Sequence, residues 1–392
     1  MEYQKRHHCL LSFGLLERLV LLLAALAFLG LSTAPRLWAQ GQPINIISWS
    51  SPVGAQSITF ETLYGIKALS TFLNANGGIS QREIQMQSLD MDDTSADFGK
   101  KLDALVIQGQ PDLVVGGAAN SRASETAEYF RRIAIPWFGP WTDDPKLYAE
   151  RDDDPVGLLP AAPAELDMLF KHIKKHIQPG QKIYFIYTSG LPGSETLSAL
   201  ARAKSRSFEL ELDLIPLSTD FSNWKQLTTE LTDPSFVILW TNPGPSAAIR
   251  RMAKNYLPNT VWLTNSLNTP DHEIVRMSAG TWTGMLFPSV LIPSEQIPAA
   301  YSMVLSKYGL PGLHPDYQTF LGFGQGQVFA RAVTTVATDK STNLSSKLGR
   351  AFREVTLDGT ILSGNKLPNN PDDPGGSYLA EVLPKGGWAA VE

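Results

Sequence analysis

Small polar residues stand where a buried strand gives way to a helix in the segment LVVGGAANSRASETAEYFRR, residues 113–132. Its apolar start breaks at Gly116 and Gly117, and Asn120 and Ser121 then precede a helical pattern. Hydroxyl, amide and backbone N–H groups at a helix start donate hydrogen bonds to a carboxylate or carbonyl, and the helix dipole adds a positive end. These residues predict a site for a small polar molecule. The alternative is that Asn120 or Ser121 only caps the helix.

The segment WFGPWTDD, residues 137–144, places Trp141, Thr142 and Asp143 after the next apolar stretch. An indole and a carboxylate suggest an aromatic wall together with an acceptor for an amine, an amide or a hydroxyl group. The alternative is that the tryptophans pack in the core and Asp143 caps a turn. For Trp137 the core is the favoured interpretation.

Comparable strand ends recur in the second half of the chain and complete the candidate site. Trp240 either stacks on a ligand or closes the interior of its half of the chain, and both interpretations stay open. The residues expected to contact the ligand are Ser51, Asn120, Ser121, Trp141, Thr142, Asp143, Tyr187, Trp240, Asn242 and Ser266.

Motifs for catalysis and metal binding are weak throughout the sequence. His172 and His176 have a spacing that can share a metal, but they lie among lysines without a third ligand, which is typical of a solvated helix face. The aspartates from Asp90 to Asp97 lack the glycine and the closing glutamate of a calcium loop. The segment GFGQGQ, residues 322–327, departs from G-x-G-x-x-G and indicates a closely packed helix. We therefore predict neither an enzyme nor a bound cofactor or metal.

The N-terminus has the layout of a secretory signal peptide, with basic residues before the apolar run at residues 19–31 and small residues after it. A helix over this run is about 20 Å long, shorter than the roughly 30 Å hydrocarbon core of a membrane. We expect cleavage near Ala39, with a retained anchor as the alternative. The single cysteine, Cys9, precedes the run, and an exported chain without disulfides suits the bacterial periplasm.

Charge and composition narrow the class of partner. The 392-residue chain carries a formal net charge of −5 and has no block of basic residues, which argues against a nucleic-acid partner. Its 43% of apolar residues is enough to form two globular lobes.

Alternating strand and helix patterns predict an α/β fold with parallel sheets. Residues 44–49 are predicted to be a buried strand and residues 60–73 a helix, and the alternation continues to a fourth strand at residues 135–138. The pattern restarts after PAAP, residues 160–163, which indicates a second lobe wound in the same way. We expect two doubly wound parallel-sheet lobes joined by three crossovers.

The crossovers are expected near residues 158–163, 283–290 and 345–356, where proline and glycine interrupt the regular patterns. The expected division is a signal peptide over residues 1–39, lobe 1 over residues 40–160 and 285–345, and lobe 2 over residues 161–284 and 346–392.

The segment NANGGISQREIQMQSLDMDDTSAD, residues 74–97, and the tail FREVTLDGTILSG, residues 352–364, resemble the substrate-binding proteins that serve ABC transporters of the branched-chain amino acid type. The resemblance implies a type I periplasmic binding fold, a ligand held between two lobes, a membrane permease as partner and a monomer. It also implies that the loop with Asn120 and Ser121 holds the carboxylate of the ligand.

Departures from the family pattern bear on the ligand rather than on the fold. Gln81 replaces the usual glycine, and GLPG at residues 190–193 replaces the usual aspartate-x-x-tyrosine-glycine turn. Asn265 and Ser266 stand where the amino-acid-binding members have an acid for the ammonium group of the ligand. An unpaired buried charge costs on the order of several kcal/mol, so leucine-like ligands are expected to bind poorly unless Asp143 supplies that acid.

These observations predict a periplasmic solute-binding protein that delivers a small polar or aromatic molecule, such as an amino acid, an amide or a carboxylate-like compound, to an ABC transporter. A ligand-sensing subunit of a membrane receptor is the second hypothesis, because it would use the same cleft. A periplasmic hydrolase is the third hypothesis, and it requires turnover of the ligand.

Overall fold

Two sheets of mainly parallel strands, with helices on their faces, form the described part of the chain. The computed structural model describes residues 41–50, 58–92, 95–117, 122–147, 155–191, 193–223, 227, 230–310, 315–337 and 344–391. The expected signal peptide, residues 1–39, lies outside the described residues. Within them, no helix combines the length and the apolar character that crossing a membrane requires.

The first sheet has four parallel strands. They are β1 (Ile44–Ser50), β2 (Ile84–Asp90), β3 (Leu113–Val115) and β4 (Trp137–Phe138). Their order across the sheet is β2-β1-β3-β4, and β1 pairs with β3 at Ile46 and Leu113. The residues of β3 are all apolar and fully buried, because a parallel sheet is covered on both faces.

Helices pack on the faces of each sheet. In chain order, those described in full are α1 (Ile58–Ala75), α2 (Phe98–Gly109), α3 (Ala123–Arg132), α4 (Ala162–His176), α5 (Ser194–Ser207), α6 (Pro243–Ala253), α7 (His272–Met277), α8 (Ala299–Tyr308), α9 (Tyr317–Ala337) and α10 (Ser345–Glu354). Helices α8 and α9 pack on α1, and α10 packs on α9 and β4. The first lobe is therefore built from both halves of the chain.

Glycines allow α1 and α9 to approach at backbone distance. A methyl group on Gly322 would lie 1.8 Å from the carbonyl oxygen of Thr62, and one on Gly65 would lie 2.1 Å from that of Thr319. Only a residue without a side chain fits at such a contact. The helix predicted for residues 322–327 is confirmed, and its glycines serve helix packing.

The second sheet has seven strands. They are β5 (Ile183–Thr188), β6 (Asp213–Leu217), β7 (Phe236–Trp240), β8 (Val261–Thr264), β9 (Leu286–Ser289), β10 (Tyr378–Val382) and β11 (Trp388–Ala390). Their order is β11-β10-β9-β8-β7-β5-β6, with β10 and β11 antiparallel at one edge. The prediction of an α/β fold with two parallel-sheet lobes is confirmed, with this antiparallel pair as an addition.

Two elements lie across the expected lobe boundaries. Strand β9 pairs with β8 in the second sheet, whereas the boundary expected at residue 285 assigned it to lobe 1. Helix α10 carries Phe352, which stacks on Phe138 of β4 with 4.3 Å between ring centroids, whereas the boundary expected at residue 345 assigned it to lobe 2. We propose that lobe 2 includes β9 and that lobe 1 extends to the end of α10.

The N-terminal end of α9 joins the two lobes. The fully buried ring of Tyr317 packs edge-on against Phe287 of β9, with 5.4 Å between centroids. Its hydroxyl group lies 3.1 Å from the hydroxyl group of Ser289. The lobes are therefore in contact, and the cleft between them is closed along this edge.

Candidate ligand-binding site

A small pocket lies at the carboxyl ends of β1, β3 and β4, and its cavity of about 10 Å³ has room for about one water molecule. Ligands of parallel sheets bind at this edge, because loops and helix N-termini direct polar groups toward it. The lining combines two hydroxyl groups with apolar side chains and glycine backbone: Ser48, Thr62, Leu63, Ile66, Gly116, Gly117, Gly139 and Trp141.

Gly117 allows the chain to turn toward this pocket. Its φ of 89° lies in the left-handed region, and a methyl group on it would approach the ring of Trp49 to 2.6 Å. Trp49 is fully buried and stacks on Phe130, with 6.1 Å between centroids, so packing holds its indole in place. Both the backbone conformation and the space at this position therefore require glycine.

Trp141 and Thr142 have different surroundings. The indole of Trp141 lines the pocket and keeps 8% of its surface exposed, and its backbone N–H donates to the carbonyl oxygen of Gly117 at 3.0 Å. Thr142 is fully buried, and its hydroxyl oxygen accepts a hydrogen bond from the backbone N–H of Asp144 at 3.1 Å. The indole thus contacts the pocket, whereas the hydroxyl group stabilises the turn that follows.

Asp143 and Trp240 meet across the two lobes. The indole N–H of Trp240, at the end of β7, donates to Oδ2 of Asp143, which follows β4, at 3.0 Å. The side chain of Asn265 also hydrogen-bonds Asp143. Loss of solvent raises the pKa of Asp143, while the bonds from Trp240 and Asn265 act in the opposite direction. Two residues predicted from separate strand ends are therefore in direct contact.

Glu165 is a residue of this cluster that the sequence analysis missed. It lies in the first turn of α4 and is fully buried, and its Oε2 accepts from the backbone N–H of Ser266 at 3.0 Å. The hydroxyl group of Ser266 donates to its other oxygen. Burial raises the pKa of Glu165 to about 8, and the charge of Asp143 adds to this. Ser266 is thus held by an acid rather than replacing one.

The sequence carries only a faint signal for Glu165. It is the single charged residue within LLPAAPAEL, residues 158–166, an otherwise apolar stretch. An acid in the first turn of a helix is usually explained by the helix dipole, so its position alone does not indicate a buried site. A charged residue with apolar residues on both sides is the one sequence feature that indicates a buried acid here.

Two further candidate residues lie near Trp240, and the others lie outside the described part of the chain. Tyr187 is partly exposed at the end of β5, where it is the strand partner of Trp240 on β7. Asn242 is exposed at the start of α6. Ser51, Asn120 and Ser121 lie outside the described residues, and their predicted contacts stay predictions.

A second acidic cluster lies where α1, α7 and α9 meet. Asp271 caps α7 through Oδ1, which accepts from the backbone N–H of Ile274 at 2.6 Å, and only 1% of its surface is exposed. Its Oδ2 has no hydrogen-bond partner among the described residues. Burial raises the pKa of Asp271 to about 7, and the charge of Asp316 also raises it. Burial and the neighbouring Asp316 likewise raise the pKa of Glu61 in the first turn of α1.

Polar side chains connect this cluster to the pocket and to lobe 2. The hydroxyl group of Thr62, which lines the pocket, donates to Oε1 of Gln318 at 2.8 Å. The amide of Gln318 in turn donates to the hydroxyl group of Thr269 in lobe 2. The backbone N–H of His272 donates to Asp316 at 3.0 Å. Lobe 1 and lobe 2 are thus linked by hydrogen bonds beside the acidic cluster.

The two histidines of α4 do not form a metal site with other described residues. The ring nitrogen Nδ1 of His176 lies 2.8 Å from the carbonyl oxygen of His172. Burial lowers the pKa of His172 to about 4, and the neighbouring His176 adds to this. Within the described ranges, no group of three or more histidine, cysteine, aspartate or glutamate residues is arranged to hold a metal ion.

A family model described as "Periplasmic binding protein" matches residues 46–371, which include both lobes and the cleft. The chain belongs to this family. Its members are proteins of the substrate-binding type, and their type I fold is the two-lobed architecture of this chain. Among curated proteins, none matches the sequence of this periplasmic binding protein.

Solved structures show the same fold at low sequence identity. A possible leucine/isoleucine/valine-binding protein from Rhodopirellula baltica SH 1 has a TM-score of 0.74 and 18% identity, covering 92% of this chain and 98% of that one. A branched chain amino acid ABC transporter protein from Thermus thermophilus with bound valine has a TM-score of 0.73 and 13% identity, covering 90% of this chain and 96% of that one. A fatty acid ABC transporter substrate-binding protein from Thermomonospora curvata has a TM-score of 0.73 and 16% identity, covering 93% of this chain and 94% of that one.

These similarities establish the fold of this periplasmic binding protein, and the ligand has to be inferred from its own residues. One protein of the same fold has valine bound, and another is named as the substrate-binding protein of a fatty acid ABC transporter. A site on a shared fold is defined by its side chains.

Proposed function

We propose that this chain is a periplasmic solute-binding protein that captures a small molecule with a polar end in the cleft between its lobes and delivers it to the membrane permease of an ABC transporter. The observation that carries the proposal is the hydrogen bond from Trp240 to Asp143, which joins strand ends of the two lobes beside the pocket. A ligand bound there would contact both lobes and favour their closure.

The composition of the cleft supports a ligand with a flat or apolar body. Trp141 lines the pocket and Trp240 lies across the lobe boundary from it, next to Asp143. Stacking on an indole contributes about 0.5 to 1.5 kcal/mol beyond the burial of area. The polar groups around the body are hydroxyl, amide and carboxyl groups, which select a ligand by hydrogen bonding and charge.

The proposal extends to processing and assembly. We propose that residues 1–39 are removed on export to the periplasm and that the mature protein is a monomer. Expression of the full chain in a Gram-negative host, followed by N-terminal sequencing of the periplasmic protein, tests the cleavage near Ala39. Recovery of the intact chain in the membrane fraction would instead support a retained anchor.

Retention of the ligand is the direct test of solute binding. Native mass spectrometry of the freshly purified mature protein should show a small molecule that is released unchanged on denaturation. Small-angle scattering should show compaction with at least one member of a broad metabolite screen, and absence of compaction throughout would contradict the proposal. Co-purification of a permease from membranes supports delivery, whereas recovery of a kinase or chemoreceptor would favour a sensing role.

A further inference from the structure

Carboxyl groups from opposite lobes face each other at two places in the cleft. At one place, Asp143 of lobe 1 lies close enough to Glu165 of lobe 2 for its charge to raise the pKa of that glutamate. At the other place, Glu61 and Asp316 of lobe 1 have the same effect together with Asp271 of lobe 2. Closure of the lobes therefore brings like charges together, which is unfavourable unless protons or a cation neutralise them.

Basic side chains of the described residues do not neutralise these acids. In the described part of the chain, no lysine or arginine forms an ion pair with any of the five carboxyl groups, and the ion pairs that occur there lie on other residues. Protons therefore neutralise the acids whose pKa values are raised, and a bound cation would take the place of those protons.

Buried oxygen atoms without donors accompany these acids. Asp271 Oδ2, Glu61 Oε2 and Asn268 Oδ1 have no hydrogen-bond partner among the described residues. Asn268 is fully buried, and its amide N–H groups donate to Thr241 O, Thr264 Oγ1 and Asn265 Oδ1, which sets the orientation of the amide and leaves its oxygen free. These orphan atoms are all acceptors, so a ligand that satisfies them must be a donor.

The two acidic places differ in what they can still bind. Asp143 and Glu165 already accept hydrogen bonds from Trp240, Asn265 and Ser266. Glu61 and Asp271 retain free oxygen atoms, and Glu61 is the neighbour of Thr62, which lines the pocket. The first place is therefore satisfied by hydrogen bonds from the protein, whereas the second place keeps acceptor atoms for a donor.

We propose that the ligand of the cleft is an organic cation, with a protonated amine that binds between Glu61 and Asp271 and an apolar or aromatic body that packs against Trp141 when the lobes open to admit it. This inference rests on the proposed solute-binding function and specifies the class of ligand. A carboxylate at this place is disfavoured, because a further negative charge beside Glu61, Asp271 and Asp316 would be unfavourable. The amine supplies the positive charge and the donors that Glu61 and Asp271 lack.

Three probes of nearly the same shape separate charge from size: 2-phenylethylamine, 2-phenylethanol and phenylacetate, with leucine as a zwitterion. Titration calorimetry of the mature protein at neutral pH should give the tightest binding for the amine, with at least about ten-fold weaker binding for the other three. Binding of phenylacetate or leucine as tight as that of the amine would overturn the proposal and leave the solute-binding function intact.

Variants of the second acidic cluster test the position of the amine. Asp271→Asn and Glu61→Gln should each weaken 2-phenylethylamine by about ten-fold or more, while Glu211→Gln, an exposed acid of lobe 2, should not change it. Thermal unfolding of each variant establishes that it is folded. An unchanged affinity in both folded variants would contradict the proposed position.

A measurement without any ligand covers the case in which these probes are too small or too large. Small-angle scattering of the ligand-free protein should show opening between about pH 6 and pH 9, as the facing carboxyl groups lose their protons. The double variant Glu61→Gln with Asp271→Asn should remain more compact over that range. If none of the probes binds and the wild-type profile is independent of pH, the proposal is rejected.

Discussion

The indole N–H of Trp240 donates to Oδ2 of Asp143 at 3.0 Å, and this bond joins the end of a strand in one lobe to the loop after a strand in the other. It places an aromatic ring and a carboxyl group side by side at the cleft. Neither residue is near the other in sequence, so the pair exists only when the lobes are together.

Trp240→Phe tests the contribution of this bond to closure. The variant keeps the ring that packs on Phe185 but removes the donor, and hydrogen bonds to charged groups contribute about 1.5 to 3 kcal/mol. We expect weaker ligand binding and a more open ligand-free protein, measured by calorimetry and small-angle scattering. Trp262→Phe is the matched control, because its buried indole N–H has no partner among the described residues. Equal effects of the two substitutions would show that the bond to Asp143 does not matter.

Glu165 should make stability depend on pH. Its pKa rises from an ordinary 4.5 to about 8 on folding, so the folded state holds a proton that the unfolded chain releases. Its contribution to stability is fully present below about pH 4.5 and is lost as the pH rises through about 8. We expect the urea midpoint of the wild type to fall across this range relative to that of Glu165→Gln. Glu211→Gln should follow the wild type, and a wild-type midpoint that rises relative to Glu165→Gln would contradict the assignment.

Leucine should bind poorly, and Trp141 should matter for any ligand that binds well. Asp143 and Glu165 already accept hydrogen bonds from Trp240 and Ser266, so neither is left free for the ammonium group of an amino acid, while Trp141 supplies the wall of the pocket. We expect Trp141→Ala to weaken a ligand with an aromatic body by about ten-fold, as lost stacking and area predict, and to leave weak leucine binding weak. Micromolar leucine binding that survives both Trp141→Ala and Asp143→Asn unchanged would show that the ligand class and the site are misplaced.

Gly322→Ala should destabilise the first lobe. The added methyl group would lie 1.8 Å from the carbonyl oxygen of Thr62, so α1 and α9 must separate, at a cost of about 1 to 3 kcal/mol or more. Gly99→Ala is the control, because that exposed helical position has nothing within 4 Å of the added methyl group and gains helix propensity. Urea unfolding should show a lower midpoint for the first variant and an unchanged or higher one for the second.

The order of strands and helices could be predicted from the sequence because it depends on local patterns. Apolar runs such as β3 and β7, and the helical pattern around Gly322, are visible within a few residues of each other. The expectation that polar residues cluster at strand ends followed from the same patterns, since the carboxyl ends of parallel strands share one edge of a sheet.

The partners of those polar residues were decided by the tertiary structure. Ser266 stands where the family pattern has an acid, yet it binds Glu165, which lies 101 residues earlier, and Asp143 binds Trp240 at a separation of 97 residues. Thr62 and Gln318 are 256 residues apart. Contacts at such separations depend on how two lobes dock and on what each buried group can find as a partner. Local residue order therefore predicts where a ligand would bind, and the packing of the lobes decides which charged groups lie there.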